Sequence, residues 1–221
     1  MRIKTSLMIS SLLLLLSALI AETSYAGATD ATGISELLTR IGEKVAEFKT
    51  LKTDFVQEKN LAIFKRKIIM RGRIYLQKPN TIAWHVDKPV KYSVLITDTA
   101  IRQWDEDTDQ VQEIPFSKNP VFKIVLNQLT TWFSGNYGSL LNEYTVKVMQ
   151  QQPYVFEFMP KETNFSRKIV KSITVTFRED EKYLEKIKIQ EMSGDSTTIT
   201  FEHTVIDVPI DSRFFEVKRR V

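Results

Sequence analysis

Apolar residues recur at helical spacing just beyond residue 30. They fall at i, i+3, i+4, i+7, i+11 and i+14: Ile34, Leu37, Leu38, Ile41, Val45 and Phe48. This spacing puts them on one face of an α-helix, with charged residues such as Glu36 and Arg40 on the opposite face. The pattern predicts one long amphipathic helix, which must cover an apolar surface elsewhere in the chain.

From Leu51 onward the apolar residues alternate with polar ones, which is typical of half-buried β-strands. Pro, Asn and Asp residues separate the alternating stretches. The predicted strands cover 51–57, 68–76, 82–86, 94–96, 101–104, 145–149, 154–159, 169–177, 184–191 and 197–203, with 210–217 as a last strand or an extended tail. This pattern predicts an antiparallel meander of about ten or eleven strands.

A second helical stretch interrupts the strands. Asn119-Pro120 suits a helix start, and Gly135 can end the helix. Its apolar face comprises Phe122, Val125, Leu126, Leu129, Trp132 and Phe133. A short turn of helix is expected around Ser139 to Asn142.

The predicted fold class is mainly β (α+β): an antiparallel barrel or half-barrel of about 10–11 strands with helical lid segments. The helices bury their apolar faces against the concave side of the curled sheet. The residues expected to line an apolar cavity there are Leu76, Ile82, Trp84, Leu95, Ile101, Phe122, Leu126, Leu129 and Trp132. The alternative for each is that it simply fills a core, and the pattern leaves open whether the interior is hollow.

The N-terminus has the three parts of a secretory signal peptide. Arg2 and Lys4 precede an uncharged apolar run from Leu7 to Ile20, and Ser24-Tyr25-Ala26 is a small-residue cleavage site. A membrane anchor is the alternative, but a span needs about 20 apolar residues and this run is shorter. We therefore expect residues 1–26 to be removed on export and residues 27–221 to form a single domain.

Composition narrows the possible functions. The chain has no cysteine, which excludes disulfides, thiolate metal sites and lipid attachment to an N-terminal cysteine. The net charge of +4 is mild, so we expect no nucleic-acid partner. Basic residues do cluster at Lys65-Arg66-Lys67 with Arg71 and Arg73, and at Lys218-Arg219-Arg220. Such clusters suit either a solvated strand edge or a docking patch for an acidic partner or anionic headgroups.

The sequence carries little that suggests catalysis. His85 and His203 lie on separate strands without metal-ligand spacing, so we expect structural or surface roles. Asp105, Asp107 and Asp109 match the start of a calcium loop. However, Gln110 and Phe116 replace its obligatory glycine and glutamate, which favours an acidic hairpin turn. A Gly-x-Ser-x-Gly elbow and phosphate-binding glycine loops are also missing. We expect a binding protein without metal or cofactor, not an enzyme.

Several motifs together carry a family resemblance. The longest is the segment from Tyr75 to His85, which reads YLQKPNTIAWH. The others are Phe55-Val56-Gln57-Glu58-Lys59, Leu95-Ile96-Thr97-Asp98, Trp104-Asp105-Glu106-Asp107 and Gln110-Val111. In this order and spacing they resemble the periplasmic outer-membrane lipoprotein carrier family LolA.

The resemblance covers essentially the whole predicted mature chain. It implies an incomplete barrel closed by helices around a cavity for acyl chains. It also implies a monomer that takes lipoprotein or other acylated lipid cargo from an inner-membrane lipoprotein-releasing transporter to an outer-membrane acceptor.

The resemblance further implies a latch that holds the empty cavity shut. Lys78 stands where these carriers usually have an arginine that hydrogen-bonds lid carbonyls. Val45 matches a lid contact in the first helix, Ile124 and Val125 approximate those in the second, and Ile82 stands at a usually aromatic position by the entrance. Because an ammonium lacks the planar fork of a guanidinium, a lysine latch is expected to be looser. The alternative makes Lys78 only a turn residue.

Two departures from the family pattern leave other functions open. Asp98-Thr99-Ala100 replaces the usual Asp-Gly-Lys turn, and Phe214-Phe215-Glu216-Val217 lacks the usual terminal proline. One alternative is a carrier for a non-lipoprotein lipid, such as a glycolipid or a polyene. Another is a sensor or interaction module on the same fold.

Overall fold

A computed structural model describes residues 31–63, 66–117 and 130–217. The chain opens with helix α1 (Ala31–Glu47), as its apolar spacing predicts. Of the second predicted helix, residues 130–134 are helical, and its predicted start at Asn119-Pro120 lies outside the described residues. Among the described residues, three 3₁₀ helices follow at Tyr137–Asn142, Phe165–Lys168 and Ser212–Phe215, the first of which confirms the predicted short turn of helix.

In the part of the chain that the structure describes, eleven antiparallel strands form a single sheet. They are β1 (Thr50–Leu61), β2 (Arg66–Gln77), β3 (Thr81–Lys88), β4 (Tyr92–Ile96), β5 (Ala100–Asp105), β6 (Val111–Pro115), β7 (Tyr144–Gln151), β8 (Tyr154–Pro160), β9 (Val170–Phe177), β10 (Leu184–Glu191) and β11 (Ser196–Ile206). Their order is β6-β5-β4-β3-β2-β1-β11-β10-β9-β8-β7. Because β6 and β7 are the two edges, the barrel is incomplete, which confirms the predicted fold class. Within the described ranges, no helix is long and apolar enough to cross a membrane.

The first and last strands join the two halves of the sheet. In β1, Phe55 faces Gly72 of β2 on one side and Phe201 of β11 on the other. All other pairs are between strands that follow one another in the chain. The β1–β11 pair is therefore the one long-range seam of the described sheet.

The identity of the eleventh strand differs from the prediction. It is β6, whose first three residues are exposed and whose alternation is therefore weak. The proline that ends β6 suits an edge strand. The tail of residues 210–217 forms no strand, because it packs across the outer face of the sheet instead of extending its edge.

The main core fills the concave face of the sheet. The apolar stripe of α1 points into it: Leu38 and Ile41 are fully buried, and Val45 and Phe48, which directly follows the helix, are nearly so. Inward side chains of every strand except the exposed edge strand β6 surround them. The helix thus covers the concave face in the way that its apolar stripe requires.

A second, smaller cluster lies on the outer face, where the C-terminal segment crosses the sheet. Phe214 stacks on Tyr75 with ring centroids 4.4 Å apart. His85 is buried beneath this segment; its Nε2 lies 2.7 Å from the Phe214 carbonyl oxygen and its Nδ1 lies 2.8 Å from Ser93 Oγ. Leu95 belongs to this outer cluster. The prediction that Leu95 lines the interior is therefore wrong, because Val94 and Ile96 occupy the inward positions of β4.

The other polar features follow the sequence interpretation. His203 is exposed beside Asp54, with 3.1 Å between Nδ1 and Oδ2, whereas His85 has a structural role. The acidic segment is the turn between β5 and β6, in which Thr108 donates to Asp105 Oδ1.

The first residues of β2, 66–70, pair with β1 but not with β3 in the described sheet, so Arg66 and Lys67 lie on an open strand edge. A docking role for this edge stays a prediction, and Lys218-Arg219-Arg220 lie outside the described residues.

Two glycines allow the helical segments to touch. A Cβ atom built on Gly42 of α1 would lie 2.1 Å from the carbonyl oxygen of Gly135, and one built on Gly135 would lie 2.2 Å from that of Gly42. Gly135 also has a φ of +85°, which suits the predicted end of the second helix. The lid segments therefore meet backbone to backbone.

We expect Gly42→Ala to destabilise the protein, although alanine is the better helix former by about 1 kcal/mol. The added methyl group collides with backbone, so we expect a loss of roughly 1–3 kcal/mol in the free energy of unfolding, measured by urea denaturation. Gly33→Ala is the matched control, because Gly33 is exposed in the same helix. A Gly42→Ala protein as stable as the Gly33→Ala protein would contradict the close contact.

Candidate functional site

The lid and the sheet enclose an apolar cavity under the end of α1. Its lining comes from the helix, the second helical segment and four strands or turns: Val45, Phe48, Leu51, Thr53, Trp132, Phe133, Tyr183, Leu184, Phe201 and Thr204. The cavity volume is about 10 Å³, no more than a single water needs. The side chains that line this cavity therefore leave almost no free space in it.

Aromatic rings hold the second helical segment on the sheet. Trp132 meets Phe158 edge-on at 5.0 Å between ring centroids, and Phe133 meets Phe201 at 6.0 Å. The hydroxyl of the fully buried Tyr137 donates to the Trp132 carbonyl oxygen at 2.8 Å. Burial strongly raises the pKa of Tyr137, so it remains a neutral donor. The contacts keep residues 130–134 beside α1.

Lys78 ties the end of α1 to the turn between β2 and β3. Its Nζ donates to the carbonyl oxygen of Val45 and lies 3.5 Å from the ring centroid of Phe48. Val45 is in the last turn of the helix, where carbonyl groups lack intrahelical partners and the helix dipole favours a cation. The structure therefore brings together the two latch residues that the resemblance implies. That this contact gates a lid stays a prediction, and Ile124 and Val125 lie outside the described residues.

The surroundings of Lys78 are only partly polar. Burial lowers the pKa of Lys78 to about 8, and the nearby Asp207 carboxylate opposes that shift. Asp207 also accepts a 2.7 Å hydrogen bond from the backbone N–H of Lys49, just after the helix. The helix end, the β2–β3 turn and the end of β11 therefore meet at one half-buried charge.

A second charged contact holds the middle of α1, and sequence reasoning missed it. Glu181, buried in the β9–β10 turn, accepts from Arg40 at 2.5 Å and lies 2.8 Å from Lys44 Nζ. Burial tends to raise the pKa of Glu181, but the hydrogen bonds from Lys44 and Arg40 outweigh it and leave the pKa below its ordinary value. The carboxylate is recognisable in sequence only as part of an acidic turn, since Arg40 lies 141 residues away in the chain.

The predicted cavity residues divide into three groups. Leu76, Ile82 and Trp84 are buried on the concave face, Ile101 is partly buried there, and Trp132 lines the cavity. Leu95 faces the opposite side, as described above. Phe122, Leu126 and Leu129 lie outside the described residues.

Several cavity-lining residues were not predicted. They include Leu51 of β1 and Phe201 of β11. They also include Leu184, the first residue of β10, and Tyr183 just before it. The alternation of β1 and β11 could have identified Leu51 and Phe201. The position of Tyr183 depends on how the sheet curls, which no local pattern gives.

Comparison with known proteins defines the family. Residues 46–218 match the family model described as outer membrane lipoprotein carrier protein LolA. The chain belongs to this family. It is also similar to the outer-membrane lipoprotein carrier protein of Chromohalobacter salexigens, with 27% identity over 189 residues that cover 84% of each chain.

Solved structures share the fold at low sequence identity. MucB in the Pseudomonas aeruginosa MucA/MucB complex superimposes with a TM-score of 0.53 at 12% identity, over 84% of this chain and 61% of that one. An uncharacterised conserved protein from Thermus thermophilus gives a TM-score of 0.53 at 8% identity, over 85% of this chain and 95% of the other. At these identities the likeness is one of fold alone, and LolA-like folds therefore occur in proteins with different names.

We expect the contribution of Lys78 to stability to rise between pH 8 and 10.5. In the closed fold the ammonium loses its proton near pH 8, whereas an unfolded chain keeps it until about its ordinary value of 10.5. The folded state therefore binds fewer protons in this window, and increasing pH favours folding. The measurement is the difference in unfolding free energy between the native protein and Lys78→Met at each pH. A difference that is flat or falls with pH would contradict the burial of Lys78.

We expect Glu181→Gln to destabilise the protein by about 1 kcal/mol at neutral pH, because it removes the charge from a partly exposed network. Since the carboxylate has a lowered pKa, this contribution is present above the ordinary value of 4.5 and is lost as the pH falls below it. The measurement is thermal unfolding across the acidic range up to neutral pH, with Glu179→Gln, an exposed site in the same turn, as control. Equal losses in the two variants would show that Glu181 does not hold α1.

Proposed function

We propose that this protein is a periplasmic carrier that binds the acyl chains of lipoproteins and ferries them from an inner-membrane lipoprotein-releasing transporter to an outer-membrane acceptor. Residues 1–26 serve as a cleaved signal peptide, and residues 27–221 act as one monomeric domain. The protein works by binding alone, without catalysis or a cofactor. The observation that carries the proposal is the closure of an apolar concave face by α1 in a chain of the LolA family.

The mechanism is a competition for one apolar surface. Burial of acyl chains is favourable by about 0.8 kcal/mol per CH₂ group, so cargo needs shelter from water. When the carrier is empty, Leu38, Ile41 and Val45 occupy that surface. Displacing them costs free energy and lowers the net affinity for cargo. A tighter acceptor can then withdraw the cargo.

Lys78 adjusts this competition. Its bond to the Val45 carbonyl oxygen exists only while the end of α1 lies on the sheet. Loss of the bond raises the fraction of open molecules, and the apparent affinity for an acyl ligand rises in proportion. A latch of this type controls release as well as uptake.

We expect Lys78→Met to bind acyl ligand about fivefold more tightly than the native protein, which corresponds to one hydrogen bond of about 1 kcal/mol. The measurement is titration of a fluorescent triacylated peptide into the protein purified without its leader. Lys52→Met, on an exposed position of β1, is the matched control. Weaker binding by Lys78→Met would contradict the latch, and no binding by any of the three proteins would contradict the carrier function.

The nearly filled cavity favours a second candidate, a sensor or interaction module on the same fold. MucB, which shares the fold, is seen in complex with another protein, MucA. Native mass spectrometry of protein taken from a periplasm separates the candidates. A bound acyl species supports transport, and its mass distinguishes lipoprotein from glycolipid or polyene cargo. A lipid-free complex with a protein favours the sensor.

A further inference from the structure

Trp84 has a buried donor without an acceptor among the residues that the structure describes. Its side chain lies on the concave face of β3, is 5% exposed, and meets Phe55 with ring centroids 4.8 Å apart. Across the neighbouring strands it faces Ile74 and Val94. The indole Nε1 is buried and has no hydrogen-bond partner in the part of the chain that the structure describes.

An unsatisfied indole N–H is unusual, since buried tryptophan donors normally find an acceptor. The same protein satisfies others: Trp104 donates its Nε1–H to Asp109 at 3.0 Å, and the Tyr137 hydroxyl donates to a carbonyl oxygen. A bridging water is an unsuitable partner for Trp84, because a buried water needs two to four polar groups and the neighbours named above are hydrocarbon. The missing acceptor is therefore one that arrives with an apolar molecule.

We propose that Trp84 is the residue that recognises the ester or amide carbonyl at the root of an acyl chain. This inference rests on the proposed carrier function and adds a polar contact to it. A carbonyl oxygen is an acceptor without charge, so it can enter this apolar face, whereas a carboxylate or phosphate would be too costly to desolvate. The site thus takes acyl esters and amides and disfavours ether-linked or plain alkyl chains.

The test compares two lipids of equal chain length, a diacyl glycerol ester and its dialkyl ether analogue, with the native protein and with Trp84→Phe. Phenylalanine keeps an aromatic ring against Phe55 but removes the donor. We expect the native protein to prefer the ester by roughly tenfold, and Trp84→Phe to bind both lipids equally. Trp104→Phe, which removes the indole bonded to Asp109, should keep the preference.

A further readout separates recognition from mere packing. In the lipid-free protein, Trp84→Phe should unfold at a lower temperature because it leaves a cavity in the core, so both lipids are titrated at a temperature at which the variant is fully folded. The Trp84 indole N–H resonance, assigned from its absence in Trp84→Phe, should move downfield with the ester and not with the ether.

The outcomes distinguish this inference from the carrier proposal. Equal binding of both lipids by the native protein would overturn the role of Trp84 while leaving acyl carriage intact. A preference that survives in Trp84→Phe would do the same. No binding of either lipid by any variant would overturn the carrier proposal and this inference with it.

Discussion

The rest of the structure depends on the fit between the apolar stripe of helix α1 and the concave face of the sheet. Helix α1 carries an apolar stripe that is unstable in water, and the concave face of the sheet is equally apolar. Each satisfies the other, and burial of one Leu, Ile or Val side chain is worth about 1.5–3 kcal/mol. The charged contacts at Glu181 and Lys78 are worth about 1 kcal/mol each by comparison. Burial therefore contributes most of the stability of this closed arrangement, and the charged contacts add a smaller part.

Because burial contributes more stability than the charged contacts do, a lysine is sufficient at the predicted latch position. The helix end is held mainly by Val45 and Phe48, which are almost completely buried. Lys78 adds a bond to a carbonyl group that the end of a helix leaves unpaired. A single-point ammonium is sufficient for such a small adjustment, whereas a bidentate guanidinium would hold the lid more firmly.

The pattern of apolar and polar residues predicted the positions of the helices and strands better than it predicted which side of the sheet each residue faces. The stripe of α1 and the alternation of most strands were strong enough to place those elements in the sequence. In β4 every residue is buried, so alternation cannot say which side is the interior, and Leu95 was assigned to the wrong one. The exposed β6 has little alternation to detect, while the apolar tail has some but lies across the sheet.

The contacts at the candidate site also differ in how far the sequence could predict them. Lys78 and Val45 were paired through a family resemblance, because nothing in their spacing links them. Glu181 meets Arg40 across 141 residues, and only the curl of the sheet brings them together. The unsatisfied donor of Trp84 is a property of its surroundings, since the sequence says only that an aromatic residue faces inward. Sequence thus predicts which residues are buried more readily than it predicts what they touch.

The C-terminal segment covers part of the outer face of the sheet. By covering β3 and β4 from outside, it makes both strands buried on both faces. The contact between His85 Nε2 and the Phe214 carbonyl oxygen and the stacking of Phe214 on Tyr75 hold the segment on this face. The outer face is thereby sealed by the chain itself, and the concave face is the one left for the lid or a ligand.

The pairing of β1 with β11 determines when during synthesis the sheet can be completed. Asp54 of β1 pairs with Glu202 of β11. The β1–β11 pair therefore cannot form until nearly the whole chain has been synthesised. Closing so long a loop is entropically costly and slow, and sheets built on such pairings fold late. The two halves of the sheet are therefore joined late, and until then each half has an unpaired strand edge that can pair with another polypeptide.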